Sequence, residues 1–176
     1  MKELLKLARK TLEAHFKGKR PEITEDIKKK FSEEKACFVT LTLSGELRGC
    51  VGSLEARQEL WKDVVENSIN AAFNDSRFPE LALEELKKIK IEISVLSIPK
   101  KISFANLEEF KKKISGKGVI IKKGWNSATY LPQVWEDISD KEEFLSSLCQ
   151  KAGLNMNAWK EKGLDVWIYD VEKIKE

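Results

Sequence analysis

The residues best able to do chemistry are gathered in Leu47-Arg48-Gly49-Cys50-Val51-Gly52-Ser53, where a lone thiol stands between two glycines and follows an arginine closely. A thiolate becomes a nucleophile when a neighbouring cation or a helix N-terminus lowers its pKa, and Arg48 is such a cation. Arg48 is equally suited to gripping a carboxylate or phosphate through two parallel N–H bonds, or to pairing with a structural acid such as Asp75. Glycine inside a strand marks a bulge or a backbone that something else approaches. Gly49, Gly52 and the following Ser53 are therefore read as the wall of a binding cleft. The plainer alternative for Cys50 is a small buried residue, because free cysteine is among the most buried types.

A second cluster, Asp75-Ser76-Arg77-Phe78-Pro79, has the composition of an Asx-turn at a helix end. Its functional reading puts Asp75 and Arg77 on the rim of the same cleft. Thr129 and Gln133, at the end of a later hairpin, would add neutral hydrogen bonds. Catalysis at Cys50 lacks a visible general base: His15 is the only histidine, and nothing in the sequence brings its helix to Cys50. One histidine and three scattered cysteines are also too few for a zinc site, and no cofactor is named by any motif. Gly116-Lys117-Gly118 lacks the spacing and the following Ser/Thr of a phosphate loop. Trp125, Trp135 and Trp159 are read as core or interface residues.

These groups need elements to hold them. Leu4, Leu5, Ala8, Leu12 and Phe16 recur at helical spacing over 3–16, and Thr24 can cap a second short helix. From Ala36 the period falls to two, with a turn at Ser44-Gly45 and a return over 46–54. A two-residue loop sets Val39 opposite Cys50 and Leu41 opposite Arg48, whereas a bulge at Gly49 shifts that register by one. Further helices are expected over 58–73, 83–88, 106–113 and from a Ser139 capping box to Gly153. Further strands are expected over 89–95, in a 118–131 hairpin, and around Val166–Tyr169. Strands come as hairpins without regular strand–helix alternation, which predicts an α+β fold: a mostly antiparallel sheet with flanking helices. The 176 residues suit a single domain, with a larger lobe and a smaller lobe near 100–132.

Composition narrows the function classes. Hydrophobic residues make up 41% and charged residues 35% of the chain, no apolar run reaches membrane-spanning length, and the charged N-terminus is unlike a signal peptide. These features predict a cytoplasmic protein. An odd number of cysteines, three, without a Cys-x-x-Cys pair argues against a disulfide framework. The 32 basic residues are interleaved with 29 acidic ones for a net charge of +3, and the linear order shows no basic run of the kind a nucleic-acid binder uses.

Several stretches together resemble the AMMECR-type domain family, known in prokaryotes as AmmeMemoRadiSam system protein A. They are Leu47–Ser53; Asn70-Ala71-Ala72-Phe73 leading into Asp75–Pro79; Ile91–Ser97; Ala128-Thr129-Tyr130-Leu131-Pro132-Gln133-Val134-Trp135; and Glu143–Leu145 through Cys149 to Lys151–Leu154 and Trp159. They keep their order over about residues 35–160. Val51 stands where family members often carry isoleucine, a difference of one methylene. The resemblance implies an α+β fold of two lobes and association with a Memo-like protein and a radical S-adenosylmethionine protein. It does not imply a defined reaction. The leading expectation is a protein that binds a small anionic ligand in a cleft around Arg48–Ser53 and Asp75–Phe78, with a cysteine-dependent activity at Cys50 left open. The rivals are a protein–protein adaptor and a nucleic-acid (RNA or DNA) binder.

Overall fold

A computed structural model describes residues 1–176. The chain divides into two compact units, Met1–Leu96 with Glu172–Glu176, and Ser97–Val171. The first holds helices α1 (Lys2–Phe16), α2 (Glu25–Lys30) and α3 (Leu60–Phe73) and strands β1 (Cys37–Leu43), β2 (Glu46–Gly52) and β3 (Ile89–Leu96), closed by β8 (Val171–Lys175). Its sheet runs β2-β1-β3-β8, with β1 antiparallel to both neighbours.

The alternation anticipated from Ala36 onward produces this sheet's inner face. Cys37, Val39 and Leu41 on β1 are buried opposite Val95, Ile93 and Ile91 on β3, and Ile89 is buried beyond them. Helix α1 turns Leu4, Leu7, Ala8 and Leu12 into the same core, and α3 adds Leu60, Val64, Ala71 and Ala72. Each leucine, isoleucine or valine among them, moved out of water, contributes about 1.5–3 kcal/mol before chain entropy is counted. A buried polar knot joins α3 to β1: Asp63 accepts from the Cys37 N–H at 2.8 Å and from Asn67 at 3.0 Å. Thr24 caps α2 as expected, accepting from the Ile27 N–H.

The second unit carries β4 (Lys100–Ile102), α4 (Leu107–Ile114), β5 (Gly118–Lys123), β6 (Asn126–Tyr130), α5 (Val134–Asp137), α6 (Lys141–Lys151), a short 3-10 turn at Ala158–Lys160 and β7 (Asp165–Tyr169). Its antiparallel sheet runs β4-β7-β5-β6. The core packs Phe110, Ile121, Phe144, Leu148, Trp159 and Val166. This unit reaches Val171, well past the 100–132 expected of a small lobe, because β7 lies at the centre of its sheet between β4 and β5.

Two local expectations are corrected. Residues 83–88 form a run of turns rather than a helix, with Leu86 and Lys88 bonding back three residues. Helix α6 is capped by Asp140, whose carboxylate accepts from the Glu142 and Glu143 N–H groups, and not by Ser139. The antiparallel α+β architecture is otherwise as the sequence predicts. No helix is long and apolar enough to cross a membrane.

Candidate functional site

Register decides what the Leu47–Ser53 strand presents. Thr42 pairs with Leu47 and Leu41 with Gly49, so Arg48 has no opposite number and forms a β-bulge. Every residue after it changes face. Cys50 lies opposite Thr40, and Val51 opposite Val39, which overturns the pairing expected from an unbulged two-residue hairpin. Cys50 therefore sits on the face away from the α1–α3 core, half-buried, with its thiol 3.2 Å from the Thr40 hydroxyl. That hydroxyl is the thiol's hydrogen-bond partner; no carboxylate or imidazole bonds it. His15 instead stacks on Phe73 with ring centroids 4.3 Å apart.

Arg48 is buried, and its guanidinium is occupied. Nε and Nη2 donate to the two Glu85 oxygens at 2.9 and 2.8 Å, Nη1 donates to the Pro79 carbonyl at 2.9 Å, and Nη2 donates again to the Glu80 carbonyl at 3.1 Å. Four of the five donors of an arginine thus tie β2 to the 79–85 turns. The partner acid is Glu85 rather than Asp75, and Arg48 beside it holds its carboxyl below the usual range.

The glycines admit the protein's own chain. A Cβ on Gly49 would lie 2.0 Å from the Ala71 carbonyl oxygen, and one on Gly52 would lie 2.3 Å from that of Cys37. Gly49 thus lets α3 settle on the sheet, and Gly52 lets β1 pass. The Ser53 hydroxyl bonds the Glu55 carbonyl in the following loop.

The Asp75–Pro79 segment does reach Cys50. Strand β2 lies at the sheet edge, where backbone groups lack a strand partner. Asp75 Oδ2 accepts the Cys50 N–H at 2.9 Å, and Arg77 Nη2 donates to the Cys50 carbonyl at 3.1 Å. The same Asp75 accepts from Arg77 Nε and Nη2 at 2.9 and 2.7 Å and closes an Asx-turn on the Arg77 N–H. Two side chains thus replace a neighbouring strand at this one residue. Arg77, first among several donors, holds the buried Asp75 carboxyl well below the usual carboxylate range. The Arg77 side chain is 54% exposed, and its Nη1 donates to no protein group.

The structure therefore brings Cys50, Asp75 and Arg77 together and directs Arg48, Gly49, Gly52 and Ser53 to internal contacts. Thr129 and Gln133 belong to the second unit: Thr129 bonds the Tyr169 hydroxyl at 3.1 Å, and Gln133 is exposed at the start of α5. Two participants were missed by sequence reasoning. Thr40 was legible as an outward residue of β1, but its pairing with Cys50 depended on the bulge. Glu85 lay in a segment read as a helix.

The AMMECR1 family model matches residues 5–174. Protein NEQ441 of Nanoarchaeum equitans is 41% identical over 98% of each chain. Protein MJ0810 of Methanocaldococcus jannaschii is 36% identical over 98% of this chain and 88% of its own. The crystal structure of uncharacterized protein PH0010 from Pyrococcus horikoshii superposes with a TM-score of 0.79 at 34% identity, covering 98% of this chain and 89% of that one.

Proposed function

The chain belongs to the AMMECR1 family, and on that premise we propose that it binds a small anionic ligand or substrate group beside Cys50, with Arg77 rather than Arg48 as the cation. One observation carries this reading: Arg77 is anchored through Nε and Nη2 while its remaining amino group stays unpaired at the surface. An arginine oriented by a buried carboxylate loses little further freedom on binding, which favours recognition of a carboxylate or phosphate. Thr40 and Cys50 offer the ligand a hydroxyl and a soft, polarisable wall. The absence of a base bonded to the thiol favours binding over nucleophilic catalysis.

The test is thermal stabilisation by a panel of carboxylates and phosphate esters, run on wild type and Arg77→Gln. A ligand that stabilises wild type, slows Cys50 alkylation and loses its effect in the variant supports the site. Equal shifts in both proteins remove Arg77 from it.

A second reading has its own observation. Trp125, at the tip of the β5–β6 hairpin, is 101% exposed, and large exposed aromatics are common anchors of protein interfaces. We propose that the Memo-like and radical S-adenosylmethionine partners implied by the family resemblance are contacted there. Association that survives Cys50→Ala but fails in Trp125→Ala is the expected pattern.

A further inference from the structure

We propose that the face formed by α1 and the end of β8 binds the phosphodiester backbone of a single-stranded nucleic acid. A hollow of about 550 Å³ there is lined by Lys2, Lys6, Arg9, Lys10 and Lys175, with Glu13, Glu176 and Leu5. Five cations and two carboxylates line it, and Glu3 and Glu22 border Lys6 and Lys10 on the other flank of α1.

The acids nearby form no ion pair with Lys2, Lys6 or Lys10. Glu176 is held by Arg9, which also bonds the Ile89 carbonyl at 2.9 Å. Glu3 is held by Lys30 at 2.8 Å. Glu13 and, on the adjoining flank of α1, Glu22 line the surface without forming an ion pair to Lys2, Lys6 or Lys10. Lys2 also occupies the first turn of α1, where a positive charge opposes the helix dipole. A residue that breaks a local rule without a compensating contact in the fold is a candidate for function.

Spacing selects the ligand. Lys2, Lys6 and Lys10 recur every fourth residue, so their stems leave one helix face at ~6 Å intervals, close to the separation of successive phosphates along one strand. Lys175 extends the row from β8. The lining contains no aromatic side chain, so the contact is to backbone and carries no base preference. An anionic membrane is the weaker match: Leu5, the one apolar lining residue, is only 7% exposed and offers no anchor for insertion.

The probe is a labelled oligouridylate, titrated with the full chain by fluorescence anisotropy at several salt concentrations. Four phosphate contacts at ~0.7 counterions each predict a slope of log K on log[salt] near −3. Replacing Lys2, Lys6 and Lys10 together by Gln should weaken binding at least ~10-fold at ~50 mM salt and leave a slope near −0.7. The triple Lys→Arg variant should bind as wild type, which separates charge from any loss of folding. Lys112→Gln with Lys141→Gln, on the second unit, should change nothing. The proposal is overturned by no binding at ~50 mM salt, by an unchanged slope in the triple Gln variant, or by binding to phosphatidylserine vesicles in preference to the oligonucleotide.

Discussion

Arg48 and Glu85 meet as a two-pronged ion pair, Nε to Oε1 at 2.9 Å and Nη2 to Oε2 at 2.8 Å, with side chains 11% and 23% exposed. Removing Arg48 leaves the part-buried Glu85 carboxylate without its cation and the Pro79 and Glu80 carbonyls without their donor. Arg48→Ala should cost about 3–5 kcal/mol in urea unfolding. Arg48→Met with Glu85→Met should cost less than the sum of the single changes. Ligand-induced thermal shifts should survive both, since the Arg48 donors already serve the fold.

Of the carboxyls held below their ordinary value, Asp75 and Glu85 are the ones set into the fold beside β2, and both contribute to the acid limb of stability. Asp75 and Glu85 both titrate below the ordinary range in the folded protein, chiefly through Arg77 and Arg48 respectively. A depressed folded pKa contributes stability that is present above the unfolded value of ~4 and is lost as pH falls toward the folded one. Unfolding free energy should therefore fall steadily below about pH 4. Asp75→Asn should lower the neutral plateau and flatten that fall, as measured by denaturant titrations across the acid range. An unchanged acid limb in Asp75→Asn would exclude Asp75 from it.

Gly49 is the point where α3 rests on the sheet. A methyl group placed 2.0 Å from the Ala71 carbonyl oxygen has to displace backbone rather than a flexible side-chain end. Gly49→Ala should destabilise by about 3 kcal/mol, the upper end of ordinary overpacking costs. A cost below about 0.5 kcal/mol, the range of neutral surface changes, would mean that the helix and strand are not in this contact.

The three cysteines should separate under native alkylation. Cys37 and Cys149 are fully buried, and burial pushes both thiols up, so neither should react until the protein unfolds. Cys50 is half-buried on the outer face of its sheet and should take a single label in the folded state. Peptide mapping by mass spectrometry reads the outcome directly, and labelling at Cys37 before Cys50 would contradict the register.

Trp125 packs against nothing that its removal would expose. Trp125→Ala should leave the melting temperature within the scatter of neutral surface changes, about ±0.5 kcal/mol. It should abolish the association with a Memo-like protein proposed for this hairpin tip, as read in a pull-down. Loss of association accompanied by unfolding would instead give Trp125 a structural role.

Much of this protein was legible in one dimension because the deciding physics is local. Alternation at Cys37–Leu43 and Ile89–Val95, helical spacing at Leu4–Phe16 and the Asn106 cap each express a preference of neighbouring residues for one backbone conformation. The kinship was legible too, through ordered motifs. What the chain order could not decide was parity and partnership. One extra residue at Arg48 turned Cys50 outward and Val51 inward, since a strand alternates faces at every step. Arg48 found Glu85 and Asp75 found Cys50 across 37 and 25 residues of sequence, and Lys175 joined the lysines of α1 from the far end of the chain. Those contacts exist only once the sheet has closed on its helices, because they are made between segments that have no reason to meet until hydrophobic burial brings them together.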